Sequence, residues 1–326
     1  MSHVIALHSF KRAVGTVAGS PVLLAGGVAT AAIVAPQTVL SYVGNFGGAP
    51  LGGLSGVVAS VLSVLTFFIT PLVVAGTLGM AREALDEGRT SIDTFTGVAR
   101  DRYVPLLLAF LLRVGLTVVL GLTAAVVGFL GLLALLFVVG ASAEAGGSLS
   151  PGALLEGVGV VAFAILGLTL VVAALVFYVP IFFIQFFHVS VVTERAGAVE
   201  GFTRSYRAVR QNLLSSLGFS ALNIAVSVLP SVPLFAWVGL EVWERTQRGT
   251  LVQMTAETTT LLSTIEVLAL TGVVVIAQVA LVPVQHTFAA AFYGTASEPR
   301  ESGADEGPTS DDGPVQAANT DTGTMP

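Results

Sequence analysis

Arg204, Arg207 and Arg210 recur at every third residue, a spacing that lines three guanidinium groups along one flank of a helix. Guanidinium forks bind phosphate and carboxylate oxygens in pairs, and Arg195 is near in sequence. The flank therefore suits an anionic lipid headgroup or another phosphate-bearing ligand. Read more plainly, it is an orientation signal and an interfacial anchor at a membrane surface. A second group comprises Gln185, His188, Gln278, Gln285 and His286, close to Pro180 and Pro283. Proline leaves one helix carbonyl without its N–H partner, and amides or imidazoles can satisfy it. These five side chains line a polar cavity between two helices, or they fix packing through interhelical hydrogen bonds worth under about 1–2 kcal/mol each.

No stronger chemistry stands in the chain. It has no cysteine, which excludes disulfides, thiolate metal sites and cysteine nucleophiles. The four histidines show no His-Glu-x-x-His spacing, so no metal site is expected. Asp86, Glu87, Asp93 and Asp101 interleave with Arg82, Arg89, Arg100 and Arg102, which describes a self-neutralising surface and not an acid–base pair. Phosphate-binding glycine loops, nucleophile elbows and dinucleotide fingerprints are absent. The expectation is a non-enzymatic protein with no catalytic, cofactor-binding or metal-binding residues. Nucleic acid is not an expected partner, because the basic residues adjoin apolar segments and are balanced by carboxylates.

The elements that must position these groups are apolar to an unusual degree. Charged residues make up 10% of the 326 residues, against roughly 25% in average soluble proteins. Ala13–Ala81, Val114–Ala143, Gly157–Thr193, Gln211–Leu240 and Val267–Ser297 contain no charge at all. An α-helix needs about 20 apolar residues to cross about 30 Å of hydrocarbon. Gly44–Gly56 divides the first stretch, so six spans are predicted, at 22–43, 57–80, 114–138, 157–179, 214–238 and 264–288. Placing the N-terminus in the cytoplasm puts twelve basic residues inside and only Arg245 and Arg248 outside, so both termini are expected to be cytoplasmic at the cell membrane. Arg113, at the base of the third span, can snorkel to the inner surface. An interfacial helix is expected around Trp237 and Trp243. Gly121, Ala124, Ala125 and Gly128 are expected to form a tight contact face of the third span.

A weak repeat organises the spans. Phe202, Tyr206, Val209 and Leu213 fall on one helical face before the fifth span, and Phe10, Val14, Val17 and Pro21 reproduce the spacing before the first. Phe95, Ala99, Arg102 and Leu106 form an imperfect middle copy before the third. The even spans each carry a proline, Pro71, Pro180 and Pro283. The predicted fold is thus all-α: a polytopic membrane bundle of six transmembrane helices, three hairpins each preceded by a short amphipathic interfacial helix. It occupies residues 1–295. Residues 296–326 form an acidic tail, expected to be disordered and cytoplasmic, with seven carboxylates against Arg300 alone.

The segments TPLVVAGTLGMAREALDEGRTSIDTF (70–95), RYVPLLLAFLLRVGL (102–116) and IQFFHVSVVTERAGAVEGFTRSYRAVRQNLLSSLGFS (184–220) resemble uncharacterised six-span membrane proteins of halophilic archaea. More distantly, the arginine-bearing turn before the fifth span is similar to the membrane domain of bacterial glycerophosphoryl diester phosphodiesterases, whose catalytic barrel is missing here. The resemblance implies a topology and a source, and no reaction. The expected role is a module that organises membrane lipids, a membrane-protein partner or a second copy of itself. The alternative is a small transporter component using the polar group between spans four and six.

Overall fold

The computed structural model describes residues 2–46, 52–144, 158–247 and 264–297. Every element among them is helical: α1 (Ser2–Gly19), α2 (Leu24–Phe46), α3 (Gly52–Glu87), α4 (Ile92–Glu144), α5 (Val158–Phe183), α6 (Phe187–Thr193), α7 (Ala198–Gln211), α8 (Leu213–Val228), α9 (Val232–Gln247) and α10 (Thr264–Ser297). Six segments are long and apolar enough to cross a membrane, Pro21–Ser41, Gly56–Glu87, Ile92–Val138, Val160–Thr193, Leu213–Ser231 and Leu268–Ser297. They coincide with the six predicted spans, and the chain is a multi-pass membrane protein. Residues 47–51, 145–157 and 248–263, which connect the helices, and most of the acidic tail lie outside the described residues.

The fifth span ends early, at a 3-10 turn through Pro230, and α9 then carries the exposed Trp237 and Trp243 as a separate helix. Glu266 lies in the first turn of α10, where the helix dipole favours a carboxylate. The middle amphipathic copy does not form a helix of its own. It is the opening of α4, which runs 53 residues without a break through Pro105. That length corresponds to about 80 Å, far more than the hydrocarbon thickness, so the first turns of α4 project beyond the membrane on its charged side.

Packing is concentrated at this charged end. Its core joins Leu78 of α3, Leu106 of α4, Phe186, Phe187 of α6, Phe219 of α8, and Phe288 and Phe292 of α10. Phe186 stacks on Phe292 with ring centroids 5.3 Å apart. In contrast, α4 and α5 pair with each other and leave large side chains such as Phe137 (78% exposed) and Phe163 outward, as lipid-facing helices do.

The repeat has a physical basis. Its three leading phenylalanines each dock on the charged end of an even-numbered span: Phe10 edge-on to Phe288, Phe95 against Gly76, and Phe202 stacked on Phe187 at 5.0 Å. The order is cyclic, since α1 packs on α10, the last span of the chain.

The prolines are accommodated in three ways. Pro71 strips an N–H from α3, and the Tyr103 hydroxyl donates to the neighbouring Phe68 carbonyl at 3.2 Å. Pro283 leaves the Val279 carbonyl unpaired, and Gly27 of α2 lies directly against that oxygen. Downstream of Pro180, the helix breaks at 184–186 into the short α6.

Candidate functional site

The break after α5 leaves a carbonyl and an amide without helical partners, and α7 supplies both from one side chain. Ser205 Oγ donates to the Phe183 carbonyl at 3.1 Å and accepts from the Phe186 N–H at 3.0 Å. Across the same interface, the Ser190 hydroxyl lies 2.9 Å from the Phe187 carbonyl and 3.0 Å from the Gly201 carbonyl. A Cβ on Gly201 would approach Val191 to 2.6 Å, so only glycine allows α6 and α7 to come this close. The α6–α7 turn contains Arg195 with φ 55°, a left-handed conformation that costs a non-glycine residue energy and is kept only where surrounding contacts impose it.

This docking corrects the face expected from the sequence. On α7 the buried residues are Gly201, Ser205, Ala208 and Val209. Tyr206 (45% exposed) and Leu213, assigned to the apolar stripe, point outward. On α1 the buried residues are Ala6, Ser9, Ala13 and Val17, while Val14 is exposed. Small residues lie inward because the partner backbone is near, and the larger apolar side chains point away from it. The tight-contact expectation for the third span is corrected likewise. Gly128 has no neighbour where a Cβ would stand, Gly121 meets only the Phe177 ring at 3.9 Å, and Gly131 carries the close approach, to Thr169 of α5.

The three arginines divide into two roles. Arg204 ion-pairs with Glu194 at 2.6 Å, and its Nε donates to Glu200 at 3.0 Å. The Arg204 guanidinium and the Gly197 N–H hold the Glu200 carboxyl below its ordinary range, and the two carboxylates raise Arg204 in turn. A carboxyl depressed in the folded state favours folding above its ordinary value, and that contribution fades as pH falls through the lowered one. Arg207 and Arg210 are exposed and pair with no carboxylate among the described residues. With Tyr206 they line an open cleft of about 580 Å³. Arg207 also enters a second cleft, of about 330 Å³, with Arg204, Tyr293 and Ser297. Two further basic residues stabilise the fold: Arg12 donates to the Leu85 carbonyl at the end of α3 at 3.0 Å, and Arg82 pairs with Asp86 at 3.6 Å.

The second predicted group is only partly brought together. His188 and His286 face each other edge-on, with centroids 6.5 Å apart. Gln185 accepts from Ser220 at 2.8 Å and Gln285 donates to Ser227 at 2.9 Å, so both glutamines reach the fifth span. Gln278 is half-buried on α10. None of these five lines either of the two clefts along α7. Gln185 Nε2 and the Ser216 and Thr287 hydroxyls are buried with no hydrogen-bond partner among the described residues. Arg113 places its guanidinium 5.6 Å from the Phe187 ring centre, a cation–π contact. Gln285→Leu is expected to lower the midpoint of thermal unfolding in detergent only slightly, in keeping with an interhelical bond of about 0.6 kcal/mol. A loss of several times that would show that the amide holds more than one partner.

The sequence pointed to the arginine-bearing segment but not to Ser205, Ser190 or Asn212. Asn212 Nδ2 donates to the Ala296 carbonyl at 3.0 Å and ties the end of α7 to α10. The available signal was the small-residue spacing Gly201, Ser205, Ala208. No group of three or more metal-binding side chains occurs among the described residues.

A family model described as a domain of unknown function (DUF7847) matches residues 5–296. No curated protein and no solved structure matches the chain.

Proposed function

The chain belongs to the DUF7847 family, and from the division of labour among its arginines we propose that it organises anionic lipids at one membrane surface. The carrying observation is that Arg204 is held by two carboxylates while Arg207 and Arg210 stand exposed beside Tyr206 on a helix whose other face is docked into the protein. Paired guanidinium groups next to an amphipathic aromatic suit a phosphate at headgroup depth. In this reading the arginine-bearing end faces the cytoplasm and the membrane is the cell membrane, as the distribution of basic residues favours. The chain acts without catalysis or cofactor. A membrane-protein partner or a second copy would be held through the same lipids. The scarcity of lysine and the acidic tail fit a halophilic archaeal source. Any kinship with the phosphodiesterase membrane domain would be that of an accessory module.

A transport role would need the polar group of spans four and six to face a path. Gln185 and Gln285 are instead each bonded to a serine of the fifth span, which favours packing.

The test compares lipid retained by the purified protein and its variants, measured by mass spectrometry. At about 1 kcal/mol per surface cation, R207Q/R210Q should weaken anionic-lipid binding roughly thirtyfold at low salt, with an unchanged unfolding midpoint. R204Q should do the opposite, lowering the midpoint and retaining the lipid. Equal anionic lipid in the wild type and R207Q/R210Q would refute the reading.

A further inference from the structure

The two clefts along α7 share the ridge Thr203, Arg207 and Gln211 and lie on its two flanks. One flank presents Tyr206 and Arg210. The other is bounded by Ser297, the last residue of α10. The sequence beyond Ser297 begins with Glu298 and continues through Glu301, Asp305 and Glu306, with Arg300 the single basic residue of the tail. A chain advances at most about 3.3–3.6 Å per residue, so the first tail carboxylate is one such step from Ser297, which lines the same cleft as Arg207. Asp305 and Glu306, eight and nine residues on, have the length to cross the ridge to Arg210, whose end of α7 is the one tied to α10. The anchor of the tail is itself fixed to the arginine helix, because Asn212 bonds the Ala296 carbonyl.

We propose that tail residues 298–306 bind the Arg207/Arg210 face of their own chain and compete there with anionic lipid. The proposal rests on the lipid reading above for its consequence, but the docking stands on its own. Charge complementarity selects this occupant. Four carboxylates are tethered beside two guanidinium groups that pair with no carboxylate among the described residues, and a short tether supplies an effective concentration in the millimolar range. Such contacts are solvent-exposed, so each is weak and salt-sensitive. The result is a graded competitor: a sparse anionic surface leaves the tail in place, and a dense one displaces it.

Two measurements on the full-length protein separate the parts of this proposal. First, a short-chain phosphatidylglycerol is titrated into detergent-solubilised wild type and E298Q/E301Q/D305N/E306Q. The neutralised tail should raise lipid affinity roughly threefold to tenfold at low salt. The gain should vanish in 0.5 M salt, roughly where a Debye length shrinks to a few ångströms. It should also vanish in the R207Q/R210Q background. Second, spin labels are placed on Q211C and G303C, which is direct because the natural chain has no cysteine. A short, narrow distance distribution at low salt, broadening as salt or phosphatidylglycerol is added, is the expected result. Identical lipid affinity for the two proteins together with a long, salt-independent distance would overturn the proposal. A short distance with lipid binding indifferent to R207Q/R210Q would remove the lipid reading and leave the tail contact standing.

Discussion

Ser205→Ala is expected to destabilise the protein by about 2–4 kcal/mol, although the change removes a single oxygen. Its hydroxyl is the partner of both the Phe183 carbonyl and the Phe186 N–H, where α5 gives way to α6. A buried group deprived of its partner costs about 1–3 kcal/mol, and Phe186 is fully buried, so water cannot take the place of the serine. The lost pair also loosens α7 and with it the placement of Arg207. The measurement is the unfolding midpoint in detergent together with retained anionic lipid. Thr203→Ala, exposed on the same helix, is the control that should alter neither stability nor folding. Equal midpoints for Ser205→Ala and wild type would mean that the break in the fourth span is held by something other than this side chain.

Gly27→Ala also produces a large loss, for a steric reason. A Cβ at Gly27 overlaps the Val279 carbonyl oxygen and stands 3.0 Å from Pro283 Cδ. The overlapped atom is backbone, so no rotamer change relieves it, and α2 must move off α10. Overpacking of this kind typically costs about 1–3 kcal/mol, and Gly27→Val should exceed that range. The displacement also removes a Cα–H contact from a carbonyl that Pro283 has already deprived of its N–H. Gly15→Ala gives the opposite sign. It lies inside α1 with nothing within 4 Å, so the lower backbone entropy of alanine should favour folding by about 0.5–1 kcal/mol. Thermal unfolding of both variants beside the wild type checks the pair. Matching shifts would show that the close approach of α2 and α10 is not needed.

Much of the architecture was legible because hydrocarbon imposes one demand on every crossing segment. Charge-free runs and their lengths located all six spans. The Trp237 and Trp243 pair located α9, and Phe10, Phe95 and Phe202 turned out to be equivalent anchors. The site was legible only as a segment. Arg204, Arg207 and Arg210 read as equals in sequence, and the carboxylates of Glu194, ten residues before Arg204, and Glu200, one turn before it, separate the structural one from the exposed two. Gln185 and Gln285 drew attention as polar groups near proline, but their partners Ser220 and Ser227 lie on another helix and nothing in the local pattern names them.

What the residues settled unaided is therefore the medium each segment requires: apolar runs for the hydrocarbon interior and charged turns outside it. What tertiary structure alone decided is which neighbour each helix meets. It buried Gly201, Ser205 and Ala208 where large side chains were expected, ran α4 unbroken through Pro105, and set Gly27 against the Val279 carbonyl. The reason is that hydropathy measures transfer between water and oil, and two helices already in oil gain nothing further from being apolar. Their pairing follows from how closely backbones can approach and which stray carbonyls need a partner, and neither is written within a single helix.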